Sequence, residues 1–234
     1  MSNRMWKRNQ NRNVLALSCV AALASLAGSL VGCGRSDQPE FPNADIANVV
    51  KVRPTFGPEF KVRDIAPTGI DPKVLAPQKL PPGVRFQPPD CAKLAQGQPL
   101  PRDLQGNMAA TAAEGAGNRF IVLAVETSQS LPFNDPGENC KRVKFAGAAS
   151  RGQVDVVDTP QIDGVRTVGT HRILQTLVQG KPRIGELYNY VANFGPFTVI
   201  VTANPLVIPG KPLAHVDTQR ARDLLTAAVA AVKG

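Results

Sequence analysis

The sequence has few of the residues that build metal centres and catalytic sites. It contains two His and four Cys among 234 residues, with no Cys-x-x-Cys pair for zinc or redox chemistry. It has no G-x-S-x-G pattern, which marks a hydrolase nucleophile elbow. His171 and His215 have no Cys, Asp or Glu at metal-ligand spacing, and Asp155, Asp158 and Asp163 match no calcium loop. We therefore expect no cofactor, no metal and no enzymatic activity.

Aromatic residues are also sparse, at 5% of the sequence, but several cluster in one stretch. Strand alternation would place Tyr188, Tyr190 and Phe194 on a single face. Such a face commonly packs beneath a helix as part of a core. The alternative is the wall of an apolar groove for a lipid or glycolipid, in which the Tyr hydroxyls would contact a polar head group.

Acidic residues are absent from the first 13 positions, which hold four basic ones, and residues 14–31 carry no charge. This order is typical of a secretory signal peptide. The stretch from Leu30 to Cys33 reads Leu-Val-Gly-Cys, in which Gly32 is the small residue before a cleavage site. Cys33 would then be the first mature residue and would carry a diacylglyceryl group. Two or three acyl chains anchor a protein stably in a bilayer.

An uncleaved transmembrane helix is the alternative, because the apolar run reaches the lower limit for spanning a bilayer. Small residues near its end favour cleavage. We therefore divide the chain into a signal peptide (1–32), a polar tether (33–43) and one globular domain (44–234). This predicts localisation at the cell membrane, with the domain held on the extracytoplasmic side by its lipid.

Charge gives little further information about partners. The full chain has a net charge of +9, but four of the basic residues lie in the signal peptide. The remaining positive excess is modest and is spread along the chain, which does not indicate nucleic-acid binding. The partners we expect are the membrane itself, through the anchor, and a lipid, glycolipid or envelope protein.

Two cysteines remain once Cys33 is lipidated and the signal peptide, with its own cysteine, is removed. Cys91 and Cys140 would then be a single pair in an oxidising compartment, and we expect them to form a disulfide. Cys91 lies in a proline-dense segment, residues 67–101, which we expect to be extended or turn-rich because proline cannot donate to a strand ladder. The disulfide would fix that segment to the fold.

The hydrophobic pattern predicts an α+β domain with a mostly antiparallel sheet of six to eight strands and a C-terminal helix packed on one face. A brief helix near 44–51 should end before Pro54. Asp217 is the candidate N-cap of the C-terminal helix. The Ala-rich stretch 105–114 has helical propensity, but the Gly-Ala-Gly-Asn turn after it favours a hairpin with the next strand. Further strands are expected within 60–65, 119–127, 143–149, 153–157, 168–178, 184–194 and 197–203.

Several of these features together resemble mycobacterial lipoproteins that contain a domain of unknown function. They are the Leu-Val-Gly-Cys site, the proline-rich segment around Cys91, Cys140, the turn at 160–164 and the stretch Asn-Phe-Gly-Pro-Phe-Thr-Val-Ile-Val at 193–201. The chain is also distantly similar to the extracellular sensor domain of the mycobacterial kinase PknH. That likeness implies an antiparallel sheet with a cleft for an unidentified ligand. It implies no catalytic residues.

The sequence thus predicts a lipid-anchored, non-enzymatic binding or sensor-like domain of the cell envelope. A structural module that docks another envelope protein is the main alternative. An exposed apolar patch without a concave pocket would favour that module. An envelope enzyme is a third reading, which a cluster of perturbed carboxylates or His171 in a cleft would support.

Overall fold

The computed structural model describes residues 41–70, 80, 82–97, 101 and 103–234. Gly32 and Cys33, the predicted cleavage and lipidation positions, lie outside the described residues. The strands of the described part are β1 (Lys61–Gly69), β2 (Arg85–Gln87), β3 (Gly106–Gly115), β4 (Asn118–Thr127), β5 (Arg142–Ala146), β6 (Ser150–Val157), β7 (Arg166–Val178), β8 (Lys181–Phe194) and β9 (Phe197–Pro205). All pairings are antiparallel, in one sheet ordered β1-β3-β4-β9-β8-β7-β6-β5-β2. The α+β class is confirmed.

The described residues form nine strands, one more than the largest number expected, because the proline-rich segment contributes β2. Its three residues contain no proline, and Phe86 pairs with Phe145 of β5. β2 lies at the edge of the sheet and needs hydrogen bonds on one side only, so neighbouring prolines do not prevent its pairing. The same segment also forms a one-turn 3-10 helix (Pro89–Cys91) and a short α-helix (Ala92–Gln96).

An N-terminal 3-10 helix (Ile46–Thr55) replaces the brief helix expected near 44–51. The side chain of Asp45 caps it by accepting a hydrogen bond from the Ala47 N–H at 2.8 Å. Pro54 lies inside this helix, contrary to our expectation. The last turn closes through the N–H of Phe56, which donates to the Arg53 carbonyl at 3.2 Å. The missing N–H of Pro54 therefore does not end the helix.

The Ala-rich stretch forms β3, so the hairpin interpretation is confirmed over the helical one. Ala109 and Ala113 are fully buried on the face that contacts the N-terminal 3-10 helix. Their small side chains allow the helix to pack closely on this strand. The β3–β4 turn requires left-handed backbone at Ala116 and Gly117, with φ of 47° and 76°.

The C-terminal helix (Thr218–Lys233) packs beside the N-terminal 3-10 helix on one face of the sheet, over β4, β9 and β8. Asp217 accepts a hydrogen bond from the Arg220 N–H at 2.9 Å, so the predicted N-cap is confirmed. The apolar stripe of this helix is buried in full: Ala221, Leu224, Leu225, Ala228, Val229 and Val232. The two ends of the domain meet here, because the Asp45 N–H donates to the Val232 carbonyl at 2.9 Å.

A second, smaller core lies around β2, β5 and β6, where the short helix packs. Cys91 and Cys140 form a disulfide there, with Cα atoms 5.4 Å apart. Leu94, Val143 and Val154 are buried around it. No helix among the described residues has the length and apolar character needed to cross a bilayer.

Arg172 holds the short helix to the sheet. Its guanidinium donates a 2.6 Å hydrogen bond to the carbonyl of Ala95, near the end of that helix. Burial lowers the pKa of Arg172 from its ordinary value. The disulfide and this hydrogen bond therefore fix the two ends of the short segment that follows β2.

Candidate functional site

The N-terminal 3-10 helix and the C-terminal helix cover one face of the sheet over β1, β3, β4, β9 and β8. The candidate site lies on the uncovered remainder of that face. Directly opposed residues of antiparallel strands point to the same face. The register therefore places two rows of side chains across β2, β5, β6, β7 and β8. The first row is Arg85, Ala146, Arg151, Gln175 and Ile184, and the second is Gln87, Lys144, Gln153, Ile173 and Glu186.

These rows contain an open cleft of about 750 Å³, which we call the basic cleft. Its lining among the described residues includes three cations, three glutamines and no carboxylate. The lining residues are Arg85, Phe86, Gln87, Lys144, Phe145, Ala146, Arg151, Gly152, Gln153, Ile173 and Gln175. A smaller cavity of about 250 Å³ adjoins it at the β5–β6 turn and extends to Leu177.

In the part of the chain that the structure describes, no acid forms an ion pair with the cations of the basic cleft. The Nε of Arg151 donates to Oε1 of Gln175 at 2.7 Å, an uncharged partner. Among the described residues, Arg85, Lys144 and Arg151 form no salt bridge. The cleft therefore carries a concentrated positive charge on a surface whose floor is partly apolar.

A row of paired polar residues separates the basic cleft from the main core. Arg142 forms a salt bridge with Asp155, and Nε2 of Gln153 donates to the same carboxylate at 2.6 Å. Burial raises the pKa of Asp155, but the hydrogen bonds from Arg142 and Gln153 outweigh it and leave the pKa below its ordinary value. His171 contacts Glu186 at 2.9 Å. These acids are thus already engaged and do not oppose the charge of the cleft.

The candidate metal ligands of the sequence do not come together. Within the described ranges there is no group of three His, Cys, Asp or Glu side chains that could hold a metal ion. Asp155 is bound to Arg142, His171 is stacked on Tyr188 with ring centroids 4.2 Å apart, and the carbonyl of His215 accepts a hydrogen bond from Asn118.

The three aromatic residues proposed for a groove lie on the helix-covered face, as alternation predicted, but mostly inside the core. Tyr190 is fully buried and Phe194 is 3% exposed, so both contribute to packing rather than to an open groove. Burial raises the pKa of the Tyr190 hydroxyl. Tyr188 is half-buried at the edge of the core, where burial and Glu186 raise its pKa. None of the three lines the basic cleft.

Sequence reasoning missed the cations of the basic cleft. The signal was present, because Lys144 alternates with buried Val143 and Phe145, and Arg151 with buried Ser150. That alternation shows which residues leave the core on each strand. It does not show that three separate strands, β2, β5 and β6, bring the three cations together.

Comparison with known proteins identifies one family and two solved structures to which this chain is similar. A family described as a domain of unknown function, DUF5642, matches residues 45–233. The solved structure of an uncharacterised Mycobacterium smegmatis protein, the Rv0999 ortholog, is 68% identical with a TM-score of 0.79, covering 83% of this chain and 100% of that chain. The extracellular domain of PknH from Mycobacterium tuberculosis is 15% identical with a TM-score of 0.37, covering 80% of this chain and 91% of that chain. No curated protein matches the sequence significantly.

The matched region, residues 45–233, spans both long helices, all nine described strands and every residue of the basic cleft. The resemblance to a family with a domain of unknown function is therefore confirmed, and the chain belongs to the DUF5642 family.

Proposed function

We propose that this protein is a lipid-anchored, non-enzymatic binding domain on the extracytoplasmic side of the cell membrane. The basic cleft is the observation that carries the binding role, because concave sites with a few convergent polar groups are where proteins hold small ligands. The anchor is supported by the sequence alone, through the signal-like residues 1–32 and the Leu-Val-Gly-Cys site that ends at Cys33.

The chemistry of the cleft supports binding over catalysis. Its lining offers guanidinium, ammonium and amide donors together with the aliphatic side chain of Ile173. General acid–base or nucleophilic catalysis needs a group that accepts or attacks within reach of the substrate. The acids and the histidine beside the cleft, Asp155, Glu186 and His171, lie outside the lining. Asp155 is held by Arg142 and Gln153, and Glu186 and His171 contact each other.

The anchor is tested by producing the full chain in a mycobacterial host and measuring the intact mass of the membrane-bound product. We expect residues 1–32 to be absent and an acyl-glyceryl adduct to be present on Cys33. The Cys33→Ala variant should lose the adduct. A product that keeps its first 32 residues without any adduct would disprove lipid anchoring.

The binding role is tested by native mass spectrometry of the same protein after mild extraction. We expect a bound small molecule on the wild type that is reduced or absent when Arg85, Lys144 and Arg151 are replaced by Gln. Equal retention by wild type and variant would show that the basic cleft is not the binding site.

A second candidate is a module that docks another envelope protein, and one surface favours it. The loop between β9 and the C-terminal helix exposes Val207, Ile208 and Leu213, with Val207 80% exposed. Large apolar side chains that are exposed close together often mark sites of protein contact. A photoreactive group at position 207 should then give one discrete cross-link in intact cells, which Ile208→Ser with Leu213→Ser abolishes.

A further inference from the structure

We propose that the basic cleft takes an anionic amphiphile, with its acidic head group on Arg85, Lys144 and Arg151 and its alkyl chain along Ile173 and the β7–β8 hairpin. The inference rests on the proposed binding function and names its ligand class. It follows from the way charge and apolar surface are divided on this half of the sheet.

The head-group position is defined by two arginines on either side of a small residue. Ala146 lies between Arg85 and Arg151 in one row across β2, β5 and β6. Lys144, two residues along β5, approaches the same place from the next row. The methyl group of Ala146 leaves room above it, and guanidinium groups recognise phosphate and carboxylate oxygens in pairs. This arrangement suits an acidic group of phosphate or carboxylate size.

The chain position is defined by aliphatic side chains that the fold leaves in solvent. Ile173 is 40% exposed, Leu177 53% and Ile184 62%. Alternation along β7 places Ile173 and Leu177 on the cleft side, and Ile184 opposes Gln175 on the same side. An alkyl chain that covers these three residues would remove their apolar surface from water.

Uncharged amide side chains separate the head-group position from the chain position. Gln153 and Gln175 lie between the cations and the aliphatic residues, and Gln175 holds Arg151 through the hydrogen bond to its Nε. The acids nearest to them, Asp155 and Glu186, are paired with Arg142 and His171. Charge complementarity therefore favours an anionic head group over a cationic or neutral one.

The test is isothermal titration of a soluble domain, residues 38–234. The M. smegmatis structure is 68% identical and covers 83% of this chain, so we expect a domain of similar length to fold without the remaining residues. Three probes separate the head from the chain: dodecyl phosphate, inorganic phosphate and the neutral dodecyl maltoside, the two amphiphiles below their micellar concentrations. We expect dodecyl phosphate to bind one per domain, and each of the others to bind at least about tenfold more weakly.

Two matched variants locate the head group. Replacing Arg85, Lys144 and Arg151 by Gln should weaken dodecyl phosphate binding at least about tenfold and reduce its dependence on salt. The control replaces three exposed cations by Gln in the N-terminal 3-10 helix and β1, at the opposite edge of the sheet: Lys51, Lys61 and Arg63. This control variant should bind dodecyl phosphate with unchanged affinity. Melting curves establish whether each variant is folded. If a triple variant does not fold, the three single substitutions are measured in its place.

A third variant locates the chain. Ile173→Ser with Ile184→Ser should weaken dodecyl phosphate binding and leave inorganic phosphate unaffected. Inorganic phosphate that binds as tightly as dodecyl phosphate would overturn the inference in favour of a plain anion site. Dodecyl maltoside that binds equally well would overturn it in favour of an apolar site. Absence of dodecyl phosphate binding would also overturn it, whereas a co-purified molecule of another class would leave the proposed binding function standing.

Discussion

Reduction of the Cys91–Cys140 disulfide should destabilise the domain by up to about 4 kcal/mol. The bond joins residues 49 positions apart. In the loop-closure model, closing a loop of this length lowers the entropy of the unfolded chain, and the corresponding free energy at 25 °C is about 4 kcal/mol. For a domain of about 200 residues, 1 kcal/mol corresponds to about 2–4 °C in Tm. The expected decrease is therefore as large as about 8–16 °C.

The loss of local stability after reduction should be uneven across the fold, because the disulfide belongs to the smaller core. Cys91 is 4% exposed and packs with Leu94 and Val143, while the C-terminal helix packs in a separate cluster. After reduction, hydrogen exchange should accelerate first around residues 84–96 and 142–156. Residues 218–233 should keep their protection until the whole domain unfolds.

Calorimetry of residues 38–234 with and without reductant measures the effect, since this fragment contains no cysteine other than the pair. The Cys91→Ala/Cys140→Ala variant should melt near the reduced protein and should not respond to reductant. An unchanged Tm after complete reduction, verified by thiol titration, would refute both the loop-closure estimate and the role we assign to the bond.

Three further predictions concern the core, a close backbone approach and pH. Leu225→Ala should cost about 2–5 kcal/mol in unfolding free energy, measured by urea denaturation, whereas exposed Thr226→Ala should change it by less than about 0.5 kcal/mol. Gly152→Ala should lower Tm, because the added Cβ would lie 2.3 Å from the Ile173 carbonyl oxygen; an unchanged Tm would show that the strands move apart easily. The lowered pKa of Asp155 stabilises the fold fully above the ordinary carboxyl pKa near 3.8, and this contribution is lost as pH falls through the folded value. Asp155→Asn should therefore reduce the acid dependence of stability, which a pH series of melting curves measures.

The sequence was sufficient for the elements whose hydrophobic period is strong. β4 has a continuous apolar run and β9 a shorter one, β7, β8 and β9 are joined by glycine-containing turns, and the C-terminal helix has a full apolar stripe on one side. Local pattern and capping determine such elements, so they could be recognised without knowledge of their neighbours. β2 was missed because its three residues are too few for a period and lie close to prolines.

The site was less accessible to sequence reasoning because it depends on non-local pairing. Arg85 lies 66 residues before Arg151, and only the pairing of β2 with β5 and of β5 with β6 brings both to one face. The sequence also does not show how far the two long helices extend over the sheet. Tyr190 lies under the C-terminal helix and Ile173 lies beyond it, although both strands alternate in the same way.

The hydrogen bond between Asp45 and Val232 has a practical consequence for how this protein can be labelled. Because it brings the start and the end of the described domain side by side, a fluorophore or fused reporter after Gly234 would emerge next to Asn43. A reporter placed there would lie near Asp163, before the start of β7, and so away from the β7–β8 hairpin at the other end of that strand. Joining the two ends directly and opening the chain at Gly180 should yield a permuted domain with the same sheet.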